Sequence, residues 1–145
     1  MKQYLKLSII LSLLLFAGCK SEYGEILSAQ KQLVYPGVEN APVHVKYTVK
    51  LKINKPVTLK HIFVKRNNFS TEMSHFVLKK ENADKVYQLN DKLPSGEYML
   101  ITSIPDNFDK KRTQDELIFV FIPENSENAI QVITKVSEAQ PIYMQ

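Results

Sequence analysis

The chain has 145 residues, with 19 basic against 15 acidic side chains, a formal charge of +4, 44% hydrophobic residues, one cysteine and no tryptophan. So small a charge excess excludes a protein that works by neutralising nucleic-acid phosphates, and a single cysteine excludes both a disulfide framework and a cysteine-built metal site. The length suits one domain around one core.

Lys2 and Lys6 form a short basic start, and Leu7 to Phe16 is an apolar run that ends in small residues, which is the layout of an export signal. A spanning helix needs about 20 apolar residues, so this shorter run predicts a cleaved signal helix over residues 1–18. Phe16-Ala17-Gly18-Cys19 resembles the lipobox of bacterial lipoproteins, with Phe in place of the usual Leu at the first position. The resemblance implies that the Cys19 thiol is alkylated with diacylglycerol, that the signal is cut before Cys19, and that the protein is held on a membrane by acyl chains. Two or more such chains hold stably where one does so marginally. An ordinary secretory signal before a structural cysteine is the competing reading. With Lys2 and Lys6 lost, 17 basic and 15 acidic side chains remain.

Residues 19–29 are mixed and without period, and predict a lipidated tether; residues 30–145 then form the folded domain. Gln30 to Tyr35 reads as a first strand closed by the turn dipeptide Pro36-Gly37. From Val43 to Ile53 apolar and polar residues alternate without an error, the signature of a half-buried strand. Val43, Val45, Tyr47, Val49, Leu51 and Ile53 are assigned to a core, and His44, Lys46, Thr48, Lys50 and Lys52 to solvent. Further strands are predicted over Val57 to Lys65, Glu72 to Lys80, Lys85 to Leu89, Glu97 to Ile104, Asp115 to Ile122 and Ala129 to Val136. Helix signals are nearly absent. Seven to eight short strands separated by turn signals predict an all-β, antiparallel, immunoglobulin-like β-sandwich.

Leu93-Pro94-Ser95-Gly96-Glu97-Tyr98 resembles the tyrosine corner of fibronectin type III and related immunoglobulin-like domains, with Leu93, Gly96 and Tyr98 matching. The resemblance implies that Tyr98 opens strand F and returns its hydroxyl to an upstream backbone group.

Chemistry-bearing patterns are few. His44, His61 and His75 are far apart in sequence and in no metal-ligand spacing. Asp106-Asn107-Phe108-Asp109 falls short of the six or so oxygen ligands a calcium loop supplies. There is no Gly-x-Ser-x-Gly elbow and no phosphate-cradling glycine loop. No catalytic residue, metal ligand or cofactor is assigned.

Two surface features carry the functional reading. His44, Lys46, Lys50 and Lys52 share one strand face, either as a basic patch for anionic partners or as charges that keep a sheet soluble; Lys110-Lys111-Arg112 has the same two readings. Leu117-Ile118-Phe119-Val120-Phe121-Ile122 is apolar on both faces, so either Ile118, Val120 and Ile122 or their alternates meet something outside the core. A partner, a loop, the tether or the tail from Glu138 to Gln145 could supply that cover.

These observations together predict a non-enzymatic, membrane-anchored envelope lipoprotein that works through contacts with other envelope proteins, with Ile118, Val120 and Ile122 as the candidate interface. The first alternative is a glycan- or other ligand-binding lipoprotein using the loops Asn67-Asn68-Phe69-Ser70 and Asp106 to Gln114, with Phe69 and Phe108 as apolar platforms. The second is an envelope hydrolase. Lys20 after the cysteine resembles the enterobacterial pattern for outer-membrane lipoproteins, and Lys20-Ser21-Glu22 loosely resembles the surface-export signal of Bacteroidota lipoproteins. Both imply the outer membrane of a Gram-negative bacterium, with the side left open.

Overall fold

A computed structural model describes residues 21–66, 69–105 and 114–145. Among the described residues twelve strands follow one another: β1 (Gly24–Tyr35), β2 (His44–Ile53), β3 (Val57–Arg66), β4 (Phe69–Glu72), β5 (Phe76–Lys80), β6 (Val86–Tyr87), β7 (Lys92–Leu93), β8 (Gly96–Pro105), β9 (Asp115–Pro123), β10 (Ile130–Lys135), β11 (Ser137–Glu138) and β12 (Ile142–Tyr143). The first sheet has the order β11-β1-β2-β8-β5-β6, with β12 also on β1; the second has the order β10-β9-β3-β4, with β7 also on β3. In immunoglobulin terms β1, β2, β8 and β5 take the places of strands A, B, E and D, and β10, β9, β3 and β4 those of G, F, C and C′.

The alternating strand behaves as its pattern dictates. Val45, Tyr47, Val49, Leu51 and Ile53 are all buried, while Val43 lies just before β2 and is only half-buried. Facing them across the sandwich are Leu59, Ile62 and Val64 of β3 and Leu117, Phe119 and Phe121 of β9, all buried. Asn40, Asn82, Asn90 and Asn125 take left-handed φ between 61° and 71°. Asparagine tolerates that region because its short polar side chain bonds locally.

Several boundaries differ from those read off the sequence. Strand β1 begins at Gly24, so Gly24 to Ala29 of the expected tether belong to the sheet. The single strand expected over Glu72 to Lys80 is two: Met73 to His75 carry the chain from β4 in the second sheet to β5 in the first. Buried Met73 anchors that crossing, its N–H donating to the Ile62 carbonyl at 2.8 Å. Strands β4, β7, β11 and β12 were not expected; three of them have two residues, too few to show a period.

Both sheets contain a register shift that inverts which residues face inward. In β1 it falls between Ile26 and Ser28, so Ile26 faces Leu51 while Ala29 and Lys31 face Val49 and Tyr47. In β3 it falls between Leu59 and His61, after which Ile62, Val64 and Arg66 take the inward positions. A bulge adds one residue to one strand and so flips every side chain beyond it. Lys31 and Arg66 are thereby turned toward the interior.

Candidate functional site

The lipobox Phe16, Ala17, Gly18 and Cys19 lies outside the described residues, as do Asn67, Asn68 and the loop segment 106–113 that holds Phe108 and Lys110-Lys111-Arg112.

At the corner, the Tyr98 hydroxyl donates to the Pro94 carbonyl at 2.6 Å, Leu93 is buried, and Gly96 has φ 148°. Burial pushes the Tyr98 hydroxyl pKa up, with neighbouring Tyr87 adding to it. The Ser95 hydroxyl donates to the Asn54 carbonyl at 3.0 Å, which ties this turn to the one between β2 and β3. The position in the fold differs from the resemblance: Tyr98 opens β8, in the place of strand E, while strand F is β9.

Strand β9 turns Leu117, Phe119 and Phe121 inward, so Ile118, Val120 and Ile122 face outward. Their cross-strand neighbours set the environment. Ile118 lies between Ile133 on β10 and Phe63 on β3, and Val120 lies between Gln131 and His61. Ile118 and Ile122 stay partly exposed, and Val120 is 9% exposed. The tail from Glu138 to Gln145 does not cover this face, because β11 and β12 pair with β1 in the other sheet. Polar groups surround the apolar row: His61 Nδ1 lies 2.6 Å from Glu72 Oε1, and Glu116 sits in register between Lys65 and Lys135.

The other outer face carries the basic residues. Lys46 lies between Gln32 and Ser103, Lys50 between Ser28 and Met99, and Lys52 between Glu25 and Glu97. Lys52 is thus flanked by acids, whereas Lys50 has none beside it in register, and neither do Lys46 and His44. Lys46 and His44 border an open cleft of about 910 Å³ that His75 also lines. Val34, Phe76, Val77, Leu89 and Ile101 give the cleft apolar walls, and none of its described lining residues is acidic. The Thr102 hydroxyl donates to the His75 carbonyl at 2.6 Å, which fixes the start of β5 against β8. His44 and His75 share this cleft; His61, on the other sheet, pairs with Glu72 and stacks on Phe63 with ring centroids 5.6 Å apart. Among the described residues no group of three or more His, Cys, Asp or Glu side chains could hold a metal ion.

Sequence reasoning missed the strongest polar cluster. Asp115, at the start of β9, is fully buried, and one of its oxygens, Oδ2, meets three donors: the Tyr47 hydroxyl at 2.7 Å, Arg66 Nε at 3.1 Å and Lys31 Nζ at 3.3 Å. Arg66 Nη2 also donates to the Tyr47 hydroxyl at 3.3 Å. Burial pushes the Asp115 carboxyl up, but the Tyr47 hydrogen bond and the Arg66 and Lys31 charges outweigh it and hold it below the usual value. Burial and the adjacent carboxylate push the Tyr47 hydroxyl far up. Lys31 and Tyr47 belong to one sheet and Arg66 and Asp115 to the other, so the cluster pins the two sheets together at one end. Satisfied on every side by its own chain, it is built as a structural pin. The clue in the sequence was Asp115 in phase with Leu117, Phe119 and Phe121, a carboxylate at a core position that needs compensating charge.

Comparison with protein-family models, with curated proteins and with solved structures gave no match.

Proposed function

We propose that the protein is a non-enzymatic lipoprotein of the bacterial envelope, anchored through Cys19, whose sandwich works by contact with other envelope proteins. The observation that carries the reading is the outer face of β10, β9 and β3. Ile133, Ile118 and Phe63 lie side by side across three strands, Val120 and Ile122 continue the row, and His61, Glu72, Glu116, Lys65 and Lys135 rim it. An apolar centre inside a polar rim is the anatomy of a protein interface, and a central strand presents it rigidly.

The anchor gives the body an orientation. From Cys19 to Gly24 the chain can reach at most about 18 Å, so the end where Gly24, Ile53 and Gly96 meet in register rests near the bilayer. Strands β2 and β8 then carry His44 and Pro105 about 30 Å further out at about 3.4 Å per residue. The outer membrane of a Gram-negative bacterium, on either side, suits this arrangement.

The test is a crosslinking pull-down from membranes with the full chain and with Ile118→Asp and Ile122→Lys. Loss of the captured envelope proteins with little change in melting temperature supports the interface; identical capture by all three refutes it. The cleft beside His44, Lys46 and His75 favours a second reading, a ligand-binding lipoprotein.

A further inference from the structure

The cleft arises from a mismatch in strand length. Strand β5 starts at Phe76, opposite Thr102, whereas β8 continues to Pro105 with, among the described residues, only β2 paired beside it. The chain enters the first sheet at that step, and the space left beside the end of β8 is bounded by Val34, Phe76 and Leu89. The cleft does not end there, because the same outer face continues along β8 as an apolar track.

Ile101 lies opposite Val77, and Met99 lies opposite Lys79, whose other neighbour is Val86. Val77, Val86, Met99 and Ile101 are 36–45% exposed, high for large apolar side chains on adjacent strands. From Ser103 to Met99 the track runs about 14 Å at about 3.4 Å per residue. Charge is distributed unequally along it. Lys46, His44 and His75 stand at the cleft end, where none of the described lining residues is acidic; Lys50 and Lys79 flank Met99 along the track, and Glu25 and Glu97 stand on either side of Lys52, at the far end.

A cationic mouth leading onto an aliphatic track selects for a molecule with the opposite arrangement. We propose that the cleft and track bind a single-chain amphipathic anion, with its acyl chain along Ile101, Val77 and Met99 and its carboxylate or phosphate head on Lys46 and His44. The lining favours a flexible chain over a sugar, since the track residues are aliphatic and supply no aromatic platform for a sugar face. The cleft volume lies within the range of small-molecule sites, which are largely apolar with a few placed polar groups. Lysine suits the head because it holds an anion as a point charge with three donors, and either imidazole can add an N–H. The proposal deepens the ligand-binding reading and does not depend on the anchor.

The test uses the full chain in phosphatidylcholine vesicles and a dodecanoate that carries a photoreactive diazirine, with the labelled peptides mapped by mass spectrometry. Labelling is expected in β8 and β5, competed by unlabelled dodecanoate or dodecyl phosphate but not by dodecanol at equal concentration. Whichever anion competes better identifies the head group. Lys46→Glu should lower the competable label by about tenfold or more, the worth of a charge-assisted contact, while the melting curve stays put. Ile101→Asp should abolish it. Cys19→Ser should label like the parent, so a failed anchor would not mimic a failed cleft. Label spread over both sheets, equal competition by dodecanol, or an unchanged yield in Lys46→Glu would overturn the proposal.

Discussion

Replacing Asp115 by Asn tests the pin between the sheets. The carboxylate is 0% exposed and accepts from Tyr47, Arg66 and Lys31. Breaking a buried ion pair from one side costs about 3–5 kcal/mol, because the surviving charge is left uncompensated. Arg66 keeps 29% of its side chain in contact with solvent, which screens its orphaned charge and places the cost at the lower end. A loss of about 3 kcal/mol corresponds to a fall in melting temperature of roughly 12 °C for a domain of this size. Urea titration at pH 7 measures the loss directly. The pH dependence supplies a second arm. The Asp115 pKa is lowered in the folded state, so its contribution is fully present above the unfolded value of 3.8 and is lost as pH falls through the lower folded value. The gap between parent and Asp115→Asn should therefore be constant from pH 5 to pH 7 and close progressively below about pH 4. A gap under about 1 kcal/mol at pH 7, the size of one ordinary hydrogen bond, would refute the assignment of a charged pin.

Three further outcomes are expected. Tyr98→Phe removes the hydroxyl that donates to the Pro94 carbonyl, and should cost about 1 kcal/mol in urea titration. Gly37→Ala should loosen the tail, since a Cβ at Gly37 would lie 2.7 Å from the Met144 carbonyl oxygen; faster hydrogen exchange at the Met144 amide, which donates to the Tyr35 carbonyl, reports it. Cys19→Ser should abolish incorporation of radiolabelled palmitate and release the protein from the membrane pellet.

The parts of the fold legible in the sequence are those where one period runs unbroken. Strand β2 alternates without interruption, and its inward residues follow from that pattern alone. Strands β1 and β3 each contain a bulge, so one alternation cannot be extended through them to place Lys31 and Arg66. The Asp115 cluster was hidden for that reason: two of its members, Lys31 and Arg66, reach the interior only after two independent phase changes. The two-sided apolar character of β9 was legible, and so was the choice it posed, although only the sheet order shows that the tail lies on the other side of the molecule. The same two-sided signal in Tyr98-Met99-Leu100-Ile101 marked the exposed track on β8 and went unread. Tyr98 illustrates a separate limit, since a six-residue motif specifies a local hydrogen bond without specifying which strand of the sandwich it introduces.

Strand β1 takes its outer neighbours, β11 and β12, from more than a hundred positions downstream, with Gln30 beside Ser137 and Tyr35 stacked on Tyr143. Such distant pairing is slow, because a long stretch of chain must be ordered before the contact forms. A polypeptide emerging N-terminus first would therefore carry an open, adhesive edge until its final segment arrived. During that interval self-association through this edge is the main hazard, and a holding chaperone that covered it would suppress that association.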